Sequence, residues 1–178
     1  MVKRYTIFIA FLFLSLFLFA GKIKKGFQSL DIYNYFEAKR LFEKGMKKDP
    51  VAASYGLSII YLRDDNPFFN LDSAHSYICI ATENYGSVTP KKKLKYDALK
   101  ADSLSIFEHR QEVSNALYTR TKLNHTIASY QRFLDKNPWS IHTDSVIYFR
   151  DHLAFDKATE ENTSQGFTRF AQTYPESE

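Results

Sequence analysis

A single cysteine among 178 residues, Cys79, excludes an intrachain disulfide and any zinc site built on thiolates. Cys79 lies in the apolar run Tyr77–Ala81 and reads as a small buried hydrophobe, with a reactive free thiol as the alternative. Glycine and proline are sparse, six and five, as suits helices joined by short turns. No glycine-rich phosphate loop, no G-x-G-x-x-G and no G-x-S-x-G occurs. The five histidines are His75, His109, His125, His142 and His152, and no two stand three or four residues apart. No helix therefore offers a histidine pair to a metal. His109 has Glu108 and Glu112 beside it, an ordinary charged helix surface. Asp72, Ser73 and His75 are the residue types of a triad, but within one short helical stretch they cannot converge on one reacting atom. These absences point away from catalysis, from a cofactor and from a metal centre.

Excess charge is missing from most of the chain as well. The formal net charge is +4, yet residues 1–25 hold Lys3, Arg4, Lys22, Lys24 and Lys25 with no acid. The other 19 basic residues face 20 acidic ones, a net of −1 from Gly26 onward. A nucleic-acid partner needs a basic footprint on the folded part, so none is expected. Hydrophobic residues make up 44% and aromatics 16%, which excludes disorder.

What is present begins with Tyr5–Ala20, a run without charge and rich in Phe and Leu, behind the basic Met1–Arg4. That layout is a secretory signal or, if uncut, a single-span anchor through residues 5–20. The run is short of the roughly 20 residues that span a bilayer comfortably. Leu18 is large for a cleavage site after Ala20, and no cysteine follows for lipoprotein processing. Lys22, Lys24 and Lys25 also resist translocation. The division is 1–25 as signal or anchor and 26–178 as a helical domain, exported to the periplasm or cell envelope.

Within that domain Thr126–Pro138, TIASYQRFLDKNP, returns as Thr163–Pro175, TSQGFTRFAQTYP. Thr126 matches Thr163, Tyr130 matches Phe167, Phe133 matches Phe170 and Pro138 matches Pro175, all at an offset of 37. The apolar spacing is helical in both copies, and the prolines end them. A looser copy is Phe36–Pro50. Helix-sized units at such a period mark an α-solenoid, so the expected fold class is all-α. Helices are expected at 31–48 with Asp31 as N-cap, 51–62, 71–85, from Pro90, from Ile106 behind the capping box Ser105-x-x-Glu108, and at 124–137, 141–158 and 161–173. The apolar stripe of the first includes Ile32 and Phe36. Phe36, Phe42, Phe107, Phe133, Phe155, Phe167 and Phe170 are the expected aromatic core. Tyr96 and Trp139 fall outside that spacing and are core or turn residues, or else hot spots of a binding face.

Residues 36–62 resemble a tetratricopeptide-repeat (TPR) unit. Ala38 is the small residue of the first helix, Leu41-Phe42 the apolar pair, Asp49-Pro50 the turn, and Ala53 or Gly56 the small residue of the second. The resemblance covers 31–175 as a stack and 36–62 closely; the later copies are TPR-like, with a period of 37 against about 34 in the family. It implies a right-handed stack of antiparallel helix pairs whose first helices line a concave peptide-binding face. On that face the candidate protein-binding residues are Lys39, Arg40, Gln131, Arg132 and Arg169. Arg132 and Arg169, 37 apart, are expected to point the same way and clamp a carboxylate or acidic peptide. Lys91, Lys92, Lys93 and Lys95 form the next candidate patch. The expected function is a non-catalytic protein- or peptide-binding scaffold of the bacterial cell envelope. The alternatives are the sensory N-terminal part of a longer envelope enzyme or signalling protein, and a structural subunit of an envelope assembly machine.

Overall fold

The computed structural model describes residues 21–177, and these are all-α, with no strand among them. The run 5–20, and with it the choice between signal and anchor, lies outside the described residues. Among the described residues no helix is long and apolar enough to cross a membrane. The chain divides into two compact units between Val113 and Ser114.

In the first unit α1 covers 21–31, followed by α2 (Tyr35–Gly45), α3 (Pro50–Leu62), α4 (Leu71–Tyr85), α5 (Pro90–Asp97) and the start of α6 (Ser103–Asn124). The centre is α3, PVAASYGLSIIYL, buried on nearly every side as a helix without a polar face must be. Asp49 caps it and Pro50 opens it, the position where a missing N–H costs nothing. Its small residues admit close neighbours. The fully buried Phe42 ring is wedged between Gly26 and Gly56: a Cβ on Gly26 would lie 2.7 Å from the ring, and one on Gly56 closer still. Burying such a ring contributes about 2–3 kcal/mol.

Several expectations are corrected here. The helix proposed for 31–48 is two helices, because Tyr33 adopts a left-handed φ of 59° and Asn34, not Asp31, caps α2. Ile32 and Phe36 are exposed at 72% and 68%, since the turn aims them outward. Phe36 instead meets Phe68 edge-on, 4.8 Å between centroids. Helix α6 starts at Ser103 rather than Ile106, because Asp102 accepts from the Leu104 and Ser105 amides at 2.9 Å each. Phe107, Phe155 and Phe167 are exposed rather than core. Tyr96 is core: it is 1% exposed, and its hydroxyl donates to Asp49, tying α5 to the α2–α3 turn. Burial and that hydrogen bond push the Tyr96 phenol up. Cys79 is half-buried, and burial raises its thiol, which keeps it protonated.

In the second unit α8 (Thr143–Glu161) packs against α7 (Ile127–Lys136) and α9 (Ser164–Thr173). Tyr130 and Phe133 of α7 are buried at 1% and 3%, with Tyr130 stacked on Phe149 at 5.9 Å. The turn after α7 is held by Ser140, whose hydroxyl meets that of Ser114 at 2.7 Å, and by His142, stacked on Tyr118 at 4.1 Å.

Candidate functional site

The 37-residue repeat is present in the backbone. Thr126 and Thr163 are both extended (φ −131°, ψ 148° and φ −124°, ψ 146°). Their hydroxyls accept from the Ser129 and Gly166 amides at 3.1 and 3.0 Å. Both helices end alike, with the Asn137 and Tyr174 amides on the Phe133 and Phe170 carbonyls at 2.8 and 2.9 Å. Helices α7 and α9 are thus two copies of one element, separated by α8.

Between them lies a groove of about 560 Å³. Ile127, Ala128 and Gln131 line it from α7, while Ala154, Lys157, Ala158 and Glu161 form its α8 side. From α9 and just beyond come Gly166, Arg169, Phe170, Thr173 and Tyr174. Ala128, Ala154, Ala158 and Gly166 keep it open, since larger side chains there would fill it. The polar rim is pre-ordered. Gln131 donates to Asp135 and accepts from Arg150, each at 2.8 Å. Arg150 also pairs with the buried Asp151 at 2.7 Å and lies 5.0 Å from the Tyr174 ring. Arg169 pairs with Glu161 at 3.2 Å. Lys157 has no ionic partner among the described residues, which leaves one uncompensated cation beside an apolar floor.

Of the residues singled out from sequence, the structure brings Gln131 and Arg169 together and leaves the others elsewhere. Arg132 does not line this groove, so the expected Arg132–Arg169 clamp does not form across it. The reason is the repeat itself. Arg169 occupies the position in α9 that Arg132 occupies in α7, and only α9 turns that side toward the groove. Lys39 pairs with Glu43 and sits 5.4 Å from the Phe68 ring centroid. Arg40 is bidentate on Glu37, which holds that carboxyl below its ordinary value. Both are engaged within α2. In the lysine patch Lys92 pairs with Asp49 at 3.2 Å, and Lys93 lies 5.2 Å from the Tyr85 ring. Lys157 and Arg150 were missed; the legible signal was the small-residue pair Ala154 and Ala158, four apart with Lys157 between.

One polar cluster has the order of a nucleophile–base–acid relay. The Ser58 hydroxyl is 3.0 Å from His109 Nε2, and His109 Nδ1 is 3.0 Å from Glu112 Oε2. Ser58 is fully buried and donates its proton to the Ala74 carbonyl at 2.8 Å. No substrate atom reaches that oxygen, so the trio is a bridge joining α3, α4 and α6. No group of acidic, histidine or cysteine side chains among the described residues could hold a metal. Comparisons with protein-family models, with curated proteins and with solved structures find no match to this chain.

Proposed function

We propose that the chain is a TPR-like, non-catalytic scaffold of the bacterial cell envelope that holds a peptide segment of another protein in the α7–α9 groove. The observation that carries this is the pairing of two repeat helices, each begun by a threonine hydroxyl cap, around an open apolar floor. The occupant has an apolar side chain for that floor and a carboxylate beside it, because Lys157 is the uncompensated charge and Arg169 shares its partner with solvent. The basic and apolar N-terminal residues make it an exported protein, and the near-neutral remainder favours no nucleic acid.

The test uses the full chain in detergent and short fluorescent peptides alternating Leu with Glu or Leu with Lys. The Leu/Glu peptide should bind more tightly. The double change Ala128→Leu and Ala158→Leu, which fills the groove, should weaken it more than tenfold, about 1.4 kcal/mol. Equal affinity for both peptides, or binding untouched by the filled groove, would remove this reading.

A further inference from the structure

The first unit holds a cleft with a different chemistry. It has two lobes, of about 300 and 340 Å³, that share Tyr55, Ile59, Arg63 and Lys100. The first lobe adds Glu108, His109 and Glu112 from α6. The second adds Lys24, Phe27, Gln28, Leu30 and Asp31 from α1 and Leu99 from the turn after α5.

Tyr55 stands at the junction. It is 8% exposed, its ring lies between Phe27 at 6.1 Å and His109 at 5.6 Å, and its hydroxyl has no hydrogen-bond partner among the described residues. The oxygen is not sealed off, since Tyr55 lines both lobes, so it can donate to what enters the cleft. Burial, with the nearby carboxylates, pushes this phenol up to about 12, so it is a neutral donor at physiological pH.

The charges around it are sorted. Arg63 has one long bond to the Tyr35 hydroxyl, 3.4 Å, and no carboxylate within ion-pair distance; Lys100 likewise has none. These two cations belong to the shared wall. Glu108 has no partner among the described residues, and Glu112 engages His109 through one oxygen only. Both carboxylates belong to the first lobe. A ligand at the junction therefore meets donors for an anion on one side and acceptors for a cation on the other. The second lobe beyond offers Phe27, Leu30 and Leu99 as apolar contacts, beside Lys24, Gln28 and Asp31.

We propose that this cleft binds a zwitterionic amino acid or dipeptide with an apolar side chain. The carboxylate sits on Arg63, Lys100 and the Tyr55 hydroxyl. The ammonium lies between Glu108 and Glu112, and the side chain enters the lobe of Phe27, Leu30 and Leu99. A bidentate guanidinium and opposed carboxylates recognise the two ends at once, so either end alone binds weakly.

Two variants separate recognition from folding. Tyr55→Phe removes only the oxygen. Lys100→Gly removes the amine and also relaxes a left-handed residue, φ 51°, that glycine adopts freely. Calorimetric titration of the full chain with L-leucine, L-phenylalanine and L-leucyl-L-leucine should give saturable binding of at least one. N-acetyl-L-leucine, which lacks the cation, and L-leucinamide, which lacks the anion, should each bind at least tenfold more weakly than L-leucine. Both variants should lose affinity at least fivefold while their melting temperatures hold or, for Lys100→Gly, rise. The proposal is overturned if none of the three zwitterions binds, if N-acetyl-L-leucine binds as tightly as L-leucine, or if both variants bind like the parent chain.

Discussion

Helices α7 and α9 carry the same caps, the same stop and the same following turn, in which Ser140 and Ser177 donate to the Asn137 and Tyr174 carbonyls at 3.0 and 3.1 Å. Their side chains have different fates. Tyr130 and Phe133 are buried at 1% and 3%, whereas Phe167 is 37% exposed and Phe170 only half-buried. Phe133 meets Tyr118 at 6.2 Å between ring centroids, and Tyr130 on the same helix stacks on Phe149 of α8. Phe170 touches Phe155 and Tyr174 and otherwise lines the open groove. The comparison separates two kinds of information. Local sequence sets the backbone of an element through its caps. The number of layers around the element sets what its apolar face contributes.

The largest expected difference between the copies is therefore in the phenylalanines. Phe133→Ala should destabilise by about 3–5 kcal/mol, the range for a ring removed from a closed site. Phe170→Ala should cost about 1–2 kcal/mol, because much of the ring already faces water. Denaturant titration of both variants decides the matter. Equal losses would mean that the layers around α7 and α9 are equivalent in solution.

The caps should behave in the opposite way, alike in both copies. Thr126→Ala and Thr163→Ala should each cost about 1 kcal/mol, the usual loss of a hydroxyl cap. Thr126 has one additional contact, because its own amide donates to the Ser129 hydroxyl at 3.2 Å where Gly166 offers no side chain. A Thr163→Ala loss more than twice that at Thr126 would show that tertiary packing, rather than the cap, determines the position.

This division explains what was legible in the sequence. The repeat was readable because Thr126, Thr163 and the two prolines act on their immediate neighbours. The all-helical class and the limits of α3 followed from equally local signals, Asp49-Pro50 before it and the turn-forming Asp64-Asp65-Asn66-Pro67 after it. The aromatic core was only half readable. Helical spacing finds the face on which Phe36, Phe107, Phe155 and Phe167 lie, but it does not say whether anything covers that face. The break at Tyr33 and the left-handed Lys100 carry no composition signal, since neither residue is one that favours φ above zero. The His109 bridge joins residues 51 apart, and the Tyr96–Asp49 bond joins residues 47 apart, which no local pattern discloses. Of the groove, Gln131 and Arg169 were found through the repeat. Lys157 was not, because its value lies in the absence of a partner.

The smallest effect concerns the turn that only the first copy buries, and it is a pH effect. His142 stacks on Tyr118 with the rings 7° from parallel, and its Nε2 is 2.7 Å from the Asn115 side-chain oxygen. Burial, and then the nearby Lys122 charge, hold its imidazole below the ordinary histidine value of 6.5. The native state thus takes up this proton less readily than the unfolded chain does. The contribution is fully present above about pH 6.5 and is lost as pH falls through the lowered native value. His142→Asn has no such proton to take up. Melting temperatures of the parent should fall more steeply than those of His142→Asn between pH 7 and the acid end of that window, with the two curves parallel above it. The difference should be modest, because part of the ring remains in water. Parallel curves throughout would mean that the His142–Tyr118 stack opens in solution. The turn after α7 would then be as uncovered as the turn after α9, and the asymmetry between the copies would rest on Tyr130 and Phe133 alone.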